Sequence, residues 1–468
     1  MTASAAAHPL LLDPDYPTLK KHLIESTGLA YYADKDGDLS ARIAGRLTQL
    51  HLPNCAAYLD LLKDRQAGEA ERHVVIGQLT IGETYFFRHL EQFDGLRDVV
   101  LPELIDRNQQ SRTLRIWSAG CAIGAEPYSL AILLKQLFGH RLAGWDVRIL
   151  GTDINQAFLA RAGRGEFDER ALRTTPDAIR REWFSPSGAT WTIRADVKEW
   201  VSFQYHNLVE HPYPSIVHGI AALDLILCRN VLIYFDWPVI DGIIGRFHEC
   251  LVDGGWLAVG HAESNPEIFR SYRTVNVPGA TLYQRNGERT STSCATAWTA
   301  PPLISPAPPD LPWSPPVLPT VPGAVRVDVD QPFATPALEG LAEVRRLADE
   351  GKWIDAGRRC EQLLERERLN PVVHFYQALI KEQMGQHLEA EAAFRKAIYL
   401  DRGALLAHYH LALLLGRTGR RENAVQSLRN VQQLLSKIDK HRQIADADGL
   451  TAEDLGRLVD LHLDLWRK

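Results

Sequence analysis

The sequence predicts an α/β protein in three parts: helices first, then a doubly wound and mostly parallel sheet, then an all-helical tail. Three observations predict it. Between residues 112 and 285, apolar runs of strand length alternate with segments of helical length, the pattern of a sheet whose strands are joined by crossover helices. Ten of the 22 residues from Pro301 to Pro322 are proline, so that stretch can neither pair in a sheet nor continue a helix. Beyond it a pattern recurs every 34 residues. With 468 residues, the chain is long enough for two or three domains.

In order along the chain, residues 15–108 read as a helical subdomain. Leu39, Ile43, Leu47 and Leu50 fall on one face of a helix over Leu39–Leu50, with Arg42 and Arg46 on the other side. Residues 109–286 read as the α/β domain. Its expected strands are Leu114–Ser118, Val147–Thr152, Val201–Tyr205, Leu223–Cys228, Trp256–Gly260 and Thr281–Arg285, with helices over 125–138 and 237–251. Residues 287–336 read as a proline-rich spacer across which few packed contacts should form.

Residues 337–468 carry the repeat. Gly351, Gly385 and Gly419 align at period 34, as do Ala356, Ala390 and Ala424, then Cys360, Phe394 and Leu428, then Leu363, Ala397 and Val431. Glycine turns a helical hairpin, small alanines let its helices approach, and larger apolar residues fill the groove between neighbours. The pattern resembles the tetratricopeptide repeat, with a helix near Thr451–Trp466 as its cap.

Composition narrows the function. The net charge is −6 and the pI near 6.3, which argues against a non-specific nucleic-acid binder. The six cysteines form no CxxC pair, consistent with free thiols in a reducing compartment. Nothing resembles a metal-ligand set. No stretch approaches the ~18 apolar residues of a membrane span, and the first residues lack a basic leader. The reading is a cytoplasmic, soluble protein without direct membrane insertion.

Chemistry should sit at the carboxyl ends of the strands. The first strand runs into SAGCAIGAE, whose Gly120 and Gly124 permit close approach of a ligand. That turn lacks the Lys and Ser/Thr of a phosphate loop, and Glu126 at the following helix start would repel a phosphate but welcome a cation or hydroxyls. Asp153 ends the next strand, where an acid suits a ribose diol; with no evident partner, it should serve the ligand alone. Asn207 and Leu208 follow a third strand, and Arg229, Asn230 and Tyr234 a fourth. Acids and amides without a phosphate cradle fit an adenosine that carries a sulfonium. Cys121 and Cys228 lack a His/Asn partner pattern and read as small core residues; His261 and Glu263 read as structural hydrogen-bonding groups.

These segments, with TIGETYFFRH (80–89), LGTDIN (150–155), FQYHNL (203–208), LDLILCRNVLIYFD (223–236) and GGWLAVGHAES (254–264) in this order, resemble the CheR family of chemoreceptor glutamate methyltransferases. The appended repeats resemble those of methyltransferases in alternative chemosensory pathways, Wsp-type surface sensing among them. The resemblance implies a Rossmann-like domain using S-adenosyl-L-methionine to esterify glutamates on the cytoplasmic domain of a methyl-accepting chemoreceptor, with the repeats recruiting a protein partner. It implies cofactor binding by Thr84, Arg88, Glu126, Asp153, Asn207, Leu208, Arg229 and Asn230, with Arg88 and Tyr234 beside the transferring methyl. It also implies a small antiparallel β insertion, for which residues 161–200 fit. One residue departs from the family pattern: Gly82 stands where an asparagine is common. Arg42 and Arg46 are expected on the face that docks the acceptor. Two other readings stand beside this one. An amine methyltransferase of nucleic acid would also place Asn after a strand, but with a proline pair where this chain has Val231-Leu232. A repeat scaffold that only senses the cofactor would not need intact Arg88, Glu126 and Asp153.

Overall fold

The computed structural model describes residues 9–64, 66–286, 335–447 and 449–466. The proline-rich segment lies outside them. The N-terminal part is helical, with Tyr16–Thr27, Asp36–Leu50, Cys55–Lys63 and Glu69–Leu79 packed around Leu19, Leu39, Ile43, Tyr58 and Val75. Asn54 starts the third helix by accepting the Ala57 N–H, the side-chain cap its residue type favours. The expected apolar face of Asp36–Leu50 is the buried one. The expected docking face is covered at Arg46 and half-exposed at Arg42. Arg46 is buried, pairing with Glu71, whose carboxylate also accepts the Tyr58 hydroxyl at 2.6 Å. Arg42 donates to the Gln78 carbonyl and to Asp38. A helical face is legible in a sequence, but the partner that covers it, Glu71, lies on another helix.

The central sheet has seven strands. In chain order they are β1 (Thr113–Ala119), β2 (Asp146–Asp153), then after an insertion β6 (Val201–Tyr205), β7 (Leu223–Cys228), β8 (Leu251–Val259), β9 (Tyr272–Val277) and β10 (Ala280–Arg285). Spatial order is β6-β2-β1-β7-β8-β10-β9. The first five are parallel and the last two form an antiparallel hairpin. The chain leaves β1 toward β2 and β6, then returns to β7 on the other side of β1, so a crevice opens at the carboxyl end of β1. The insertion contains β3 (Glu166–Phe167), β4 (Phe184–Ser187) and β5 (Thr190–Ile193) in a three-stranded antiparallel sheet. Phe86 fastens it: its ring meets Phe167 at 4.7 Å and Phe184 at 5.0 Å, edge to face.

Six helices form three hairpins from Thr335 to Leu435, and Ala452–Trp466 follows them. The period-34 columns hold in space. Gly351, Gly385 and Gly419 all take positive φ at the hairpin turns, and the alanine column and the Cys360–Phe394–Leu428 column are fully buried.

The expectation of few contacts across the spacer is wrong. Ile216, Ala221 and Ala222, between β6 and β7, lie in one apolar cluster with Val344, Tyr376 and Ile380 of the repeats. The Arg115 guanidinium of β1 donates to the Gly449 carbonyl at 2.9 Å and sits 3.6 Å from Asp454. The reason is in the repeat helices. Leu405–Arg417 reads LLAHYHLALLLGR and is buried nearly all round, as a helix flanked by packing on both sides must be. A spacer's composition sets how its ends can move, not whether the faces they carry fit.

A chain ended at residue 286 should therefore expose Ile216, Ala221 and Ala222 and melt about 5 °C or more below the intact protein. Calorimetry of the two chains checks this, and equal melting temperatures would show that the shared face adds nothing.

Candidate active site

The crevice at the end of β1 is a cavity of about 1100 Å³ including its open mouth. It brings together all nine residues singled out from the sequence: Thr84, Arg88, Glu126, Asp153, Asn207, Leu208, Arg229, Asn230 and Tyr234. Its far wall comes from the helical N-terminus through Thr27, Tyr31 and Tyr32, which no motif announced.

The β1 turn is built by left-handed backbone at Gly120 (φ 75°) and Gly124 (φ 85°). A Cβ on Gly120 would run into the Val231 side chain, and one on Gly124 would come 2.9 Å from the Ala162 Cβ. At both glycines the space a Cβ would fill is taken by protein, while the Gly120 backbone lines the cavity. They let the turn lie against the segment after β7 and the helix after β2. Asp153 is also not the unpartnered acid expected. Its carboxylate accepts the Ala122 N–H at 2.9 Å and the Asn155 N–H at 2.8 Å, tying the β1 turn to the end of β2. Burial nevertheless pushes its carboxyl up to about 6, against the pull of those backbone donors.

Below the turn lies a buried cation. The Arg229 guanidinium donates to the Glu126 carboxylate at 3.1 Å, to Gln92 Oε1 at 2.5 Å and to the Arg88 carbonyl, and stands 5.3 Å over the Phe93 ring. Burial lowers its pKa, while Glu126 holds it charged. Glu126 also accepts the Ser118 hydroxyl at 2.7 Å. Asn207 uses its side chain within the protein: Nδ2 donates to the Ser26 carbonyl at 2.9 Å and Oδ1 accepts the Val209 N–H at 2.9 Å. Three polar atoms on cavity residues are left over. Arg88 Nε, His206 Nε2 and Asn230 Oδ1 are buried without a hydrogen-bond partner among the described residues. Buried polar atoms are rarely left so, and these three fit a polar ligand in the cavity.

The profile of the family described as CheR methyltransferase, SAM binding domain, matches residues 82–279, and a tetratricopeptide-repeat profile matches 375–403. A probable chemotaxis protein methyltransferase of Rhizobium etli is 37% identical over 228 residues, which are 48% of this chain and 82% of the relative. This chain belongs to the CheR family of chemotaxis protein methyltransferases. Chemotaxis protein methyltransferase 1 of Pseudomonas aeruginosa is 30% identical, covering 58% of this chain and 97% of its own. A probable biofilm formation methyltransferase, WspC, of the same organism is 28% identical and covers 75% of this chain and 83% of its own. Among the described residues no helix is long and apolar enough to cross a membrane.

The departure from the CheR pattern at residue 82 now has a physical setting. A Cβ on Gly82 would collide with the Phe158 ring, and Phe158 lines the cavity. An aromatic from the helix after β2 occupies the space a longer side chain would need. Glu263 is structural, as expected. It accepts the N–H groups of Gly260, Asn230, Val231 and Ile233 at 2.6–3.2 Å and so fixes the turn after β7. Cys121 and Cys228 are buried, with thiols pushed well above their usual range, which suits core residues and not nucleophiles. Gln92 was not foreseen as an Arg229 partner; a lone glutamine carries no sequence signal for that role.

Arg229→Met should destabilise the fold by about 3–5 kcal/mol, because it leaves the Glu126 carboxylate without its buried cation. Denaturant unfolding with an unchanged slope measures it, and a loss under about 1 kcal/mol would show the pair to be peripheral.

Proposed function

We propose that the cavity binds S-adenosyl-L-methionine and that the protein transfers its methyl group to glutamate side chains on the cytoplasmic domain of a methyl-accepting chemotaxis-type receptor, forming methyl esters. The observation that carries this reading is the set of unpartnered polar atoms, Arg88 Nε, His206 Nε2 and Asn230 Oδ1, in a cavity that holds the acids Glu83, Glu126 and Asp153 and no phosphate cradle.

Asp153 would accept from the ribose hydroxyls, each carboxylate oxygen having a lone pair beyond the backbone N–H it already receives. Glu126 would face the methionyl amine, held in place by Arg229, which acts on the ligand through it. Thr84, Asn207, Leu208 and Asn230 would line the rest. Bound there, S-adenosylmethionine supplies a methyl group on a sulfonium, which a carboxylate can take without giving up a proton. A glutamate is already ionised at neutral pH, so the site needs no general base. Its work is to strip water from the acceptor and aim it. Arg88 and Tyr234, which both line the cavity, would orient the carboxylate. We assign catalysis to residues 15–286 and recruitment of a protein partner to 337–468. The partner would meet the repeat surface that the α/β domain leaves uncovered.

The test is methyl transfer from labelled cofactor to a receptor cytoplasmic fragment. Base-labile label on the receptor is the expected result; label that survives base, or none, rejects the ester. The pH dependence follows from Asp153. In the unfolded chain its carboxyl ionises near 4, and in the folded protein near 6, so folding favours the protonated form. The cost of holding it ionised grows as pH rises from about 4 to about 6 and is constant above. A diol donating to the carboxylate favours ionisation, so cofactor affinity should fall as pH drops through about 6. Calorimetric titration with S-adenosylhomocysteine from about pH 5 to about pH 7 should show this fall in the native protein and lose most of it in Asp153→Asn.

A further inference from the structure

The first turn of the repeats sits on the back of the cavity wall. Trp353 begins the helix Trp353–Arg366, just after Gly351. Its indole lies perpendicular to the His211 ring at 5.5 Å and edge-on to His218 at 6.3 Å. His211 is buried, which holds its ring neutral with a pKa near 3, and its Nδ1 accepts the backbone N–H of Asn207 at 3.1 Å. Asn207 and Leu208 are cavity wall. The turn itself is seated from three sides. A Cβ on Gly351 would come 2.5 Å from the Tyr205 ring, Gln156 donates to the Glu350 carbonyl, and the Glu69 carboxylate accepts the Ile354 N–H at 3.4 Å. The internal repeat offers its own comparison. The positions 34 and 68 residues after Trp353 are His387 and Arg421, so of these three positions the one at the turn that meets the α/β domain carries the indole.

We infer that Trp353 is a positioning residue for the cofactor site, acting through His211 on Asn207, so that the first repeat turn is a structural part of the methyltransferase pocket. This rests on the reading of the cavity as the cofactor site. The physical argument is the buried Asn207 N–H. Its acceptor is an imidazole nitrogen, which can accept only while that ring stays neutral and in one orientation. Trp353 packs against the ring and excludes the water that would let it turn or take up a proton. With Trp353 gone, the wall keeps its anchor at Ser26 but loses the one at His211.

The test uses the full chain, with S-adenosylhomocysteine as the probe. Trp353→Ala should weaken its binding about fivefold to tenfold, with Trp353→Phe returning to within about twofold of the native value. Hydrogen exchange over 206–211 should quicken in Trp353→Ala. Linkage is reciprocal, so the probe added to the native protein should slow exchange over 350–356, a measurement that needs no variant to fold. A native protein that binds the probe, with equal binding by Trp353→Ala or no protection at 350–356, overturns the inference alone. A native protein that does not bind the probe overturns the cofactor reading and the inference with it.

Discussion

The site depends on one buried cation. Arg229 stands at the end of β7, with its side chain almost wholly enclosed, and a guanidinium taken out of water is costly unless its charge and donors are all met. Here they are met by groups from separate segments: Glu126 from the helix after β1, Gln92 from the helix Leu90–Gly95, and the Arg88 carbonyl from the loop before it. Each of those segments must come to the same place for the cation to be satisfied. The guanidinium therefore converges the strand end, the acid and the Arg88 backbone on the crevice. A more weakly hydrated, planar donor suits this task where a lysine, with a single charged point, would not.

Around that centre the backbone is held in unusual conformations. Phe87, His89, Ala122 and Asn230 all have positive φ without being glycine, and all lie in the two segments and the turn that frame the cavity. Such residues persist only where their surroundings over-determine them. Glu263 does this for Asn230 by gripping the N–H of residues 230, 231 and 233 together with that of Gly260. Asp153 does it for Ala122 through its own N–H. Two acids that a sequence presents as ligand groups or spectators are thus also the clamps of the loops beside them.

Much of this was legible. Apolar runs such as LILC and glycine turns are local signals, and the strands of the sheet centre fall where those signals place them. The β9 strand was not legible, because YRTVNV is an edge strand with only one side against the core, and its polar alternation looks like loop. The cavity residues were legible because CheR motifs carry them in order. Their partners were not: Arg46 meets Glu71, Arg229 meets Gln92, and Asp153 meets Ala122, each across a separation that no periodicity spans. A sequence reports which way a side chain faces far better than what waits there, so Arg46 looked like a docking residue and Asp153 looked unpartnered.

The same limit explains the repeats. Their three turns share one geometry, yet only Gly351 has anything pressed against it; a Cβ at Gly385 or Gly419 would meet open space. The first hairpin's turn differs from the other two because it answers to a second constraint, the Tyr205 ring of β6 pressed against Gly351, while the second hairpin meets the α/β domain through its helix, at Tyr376 and Ile380. Repeat proteins are built so that each unit depends on the next one along. A unit that also packs against another fold ends that independence, and the stability of the array and that of the pocket wall become terms of one equilibrium. Sequence variation at the first repeat is then not decay of a motif but the imprint of the domain it rests on.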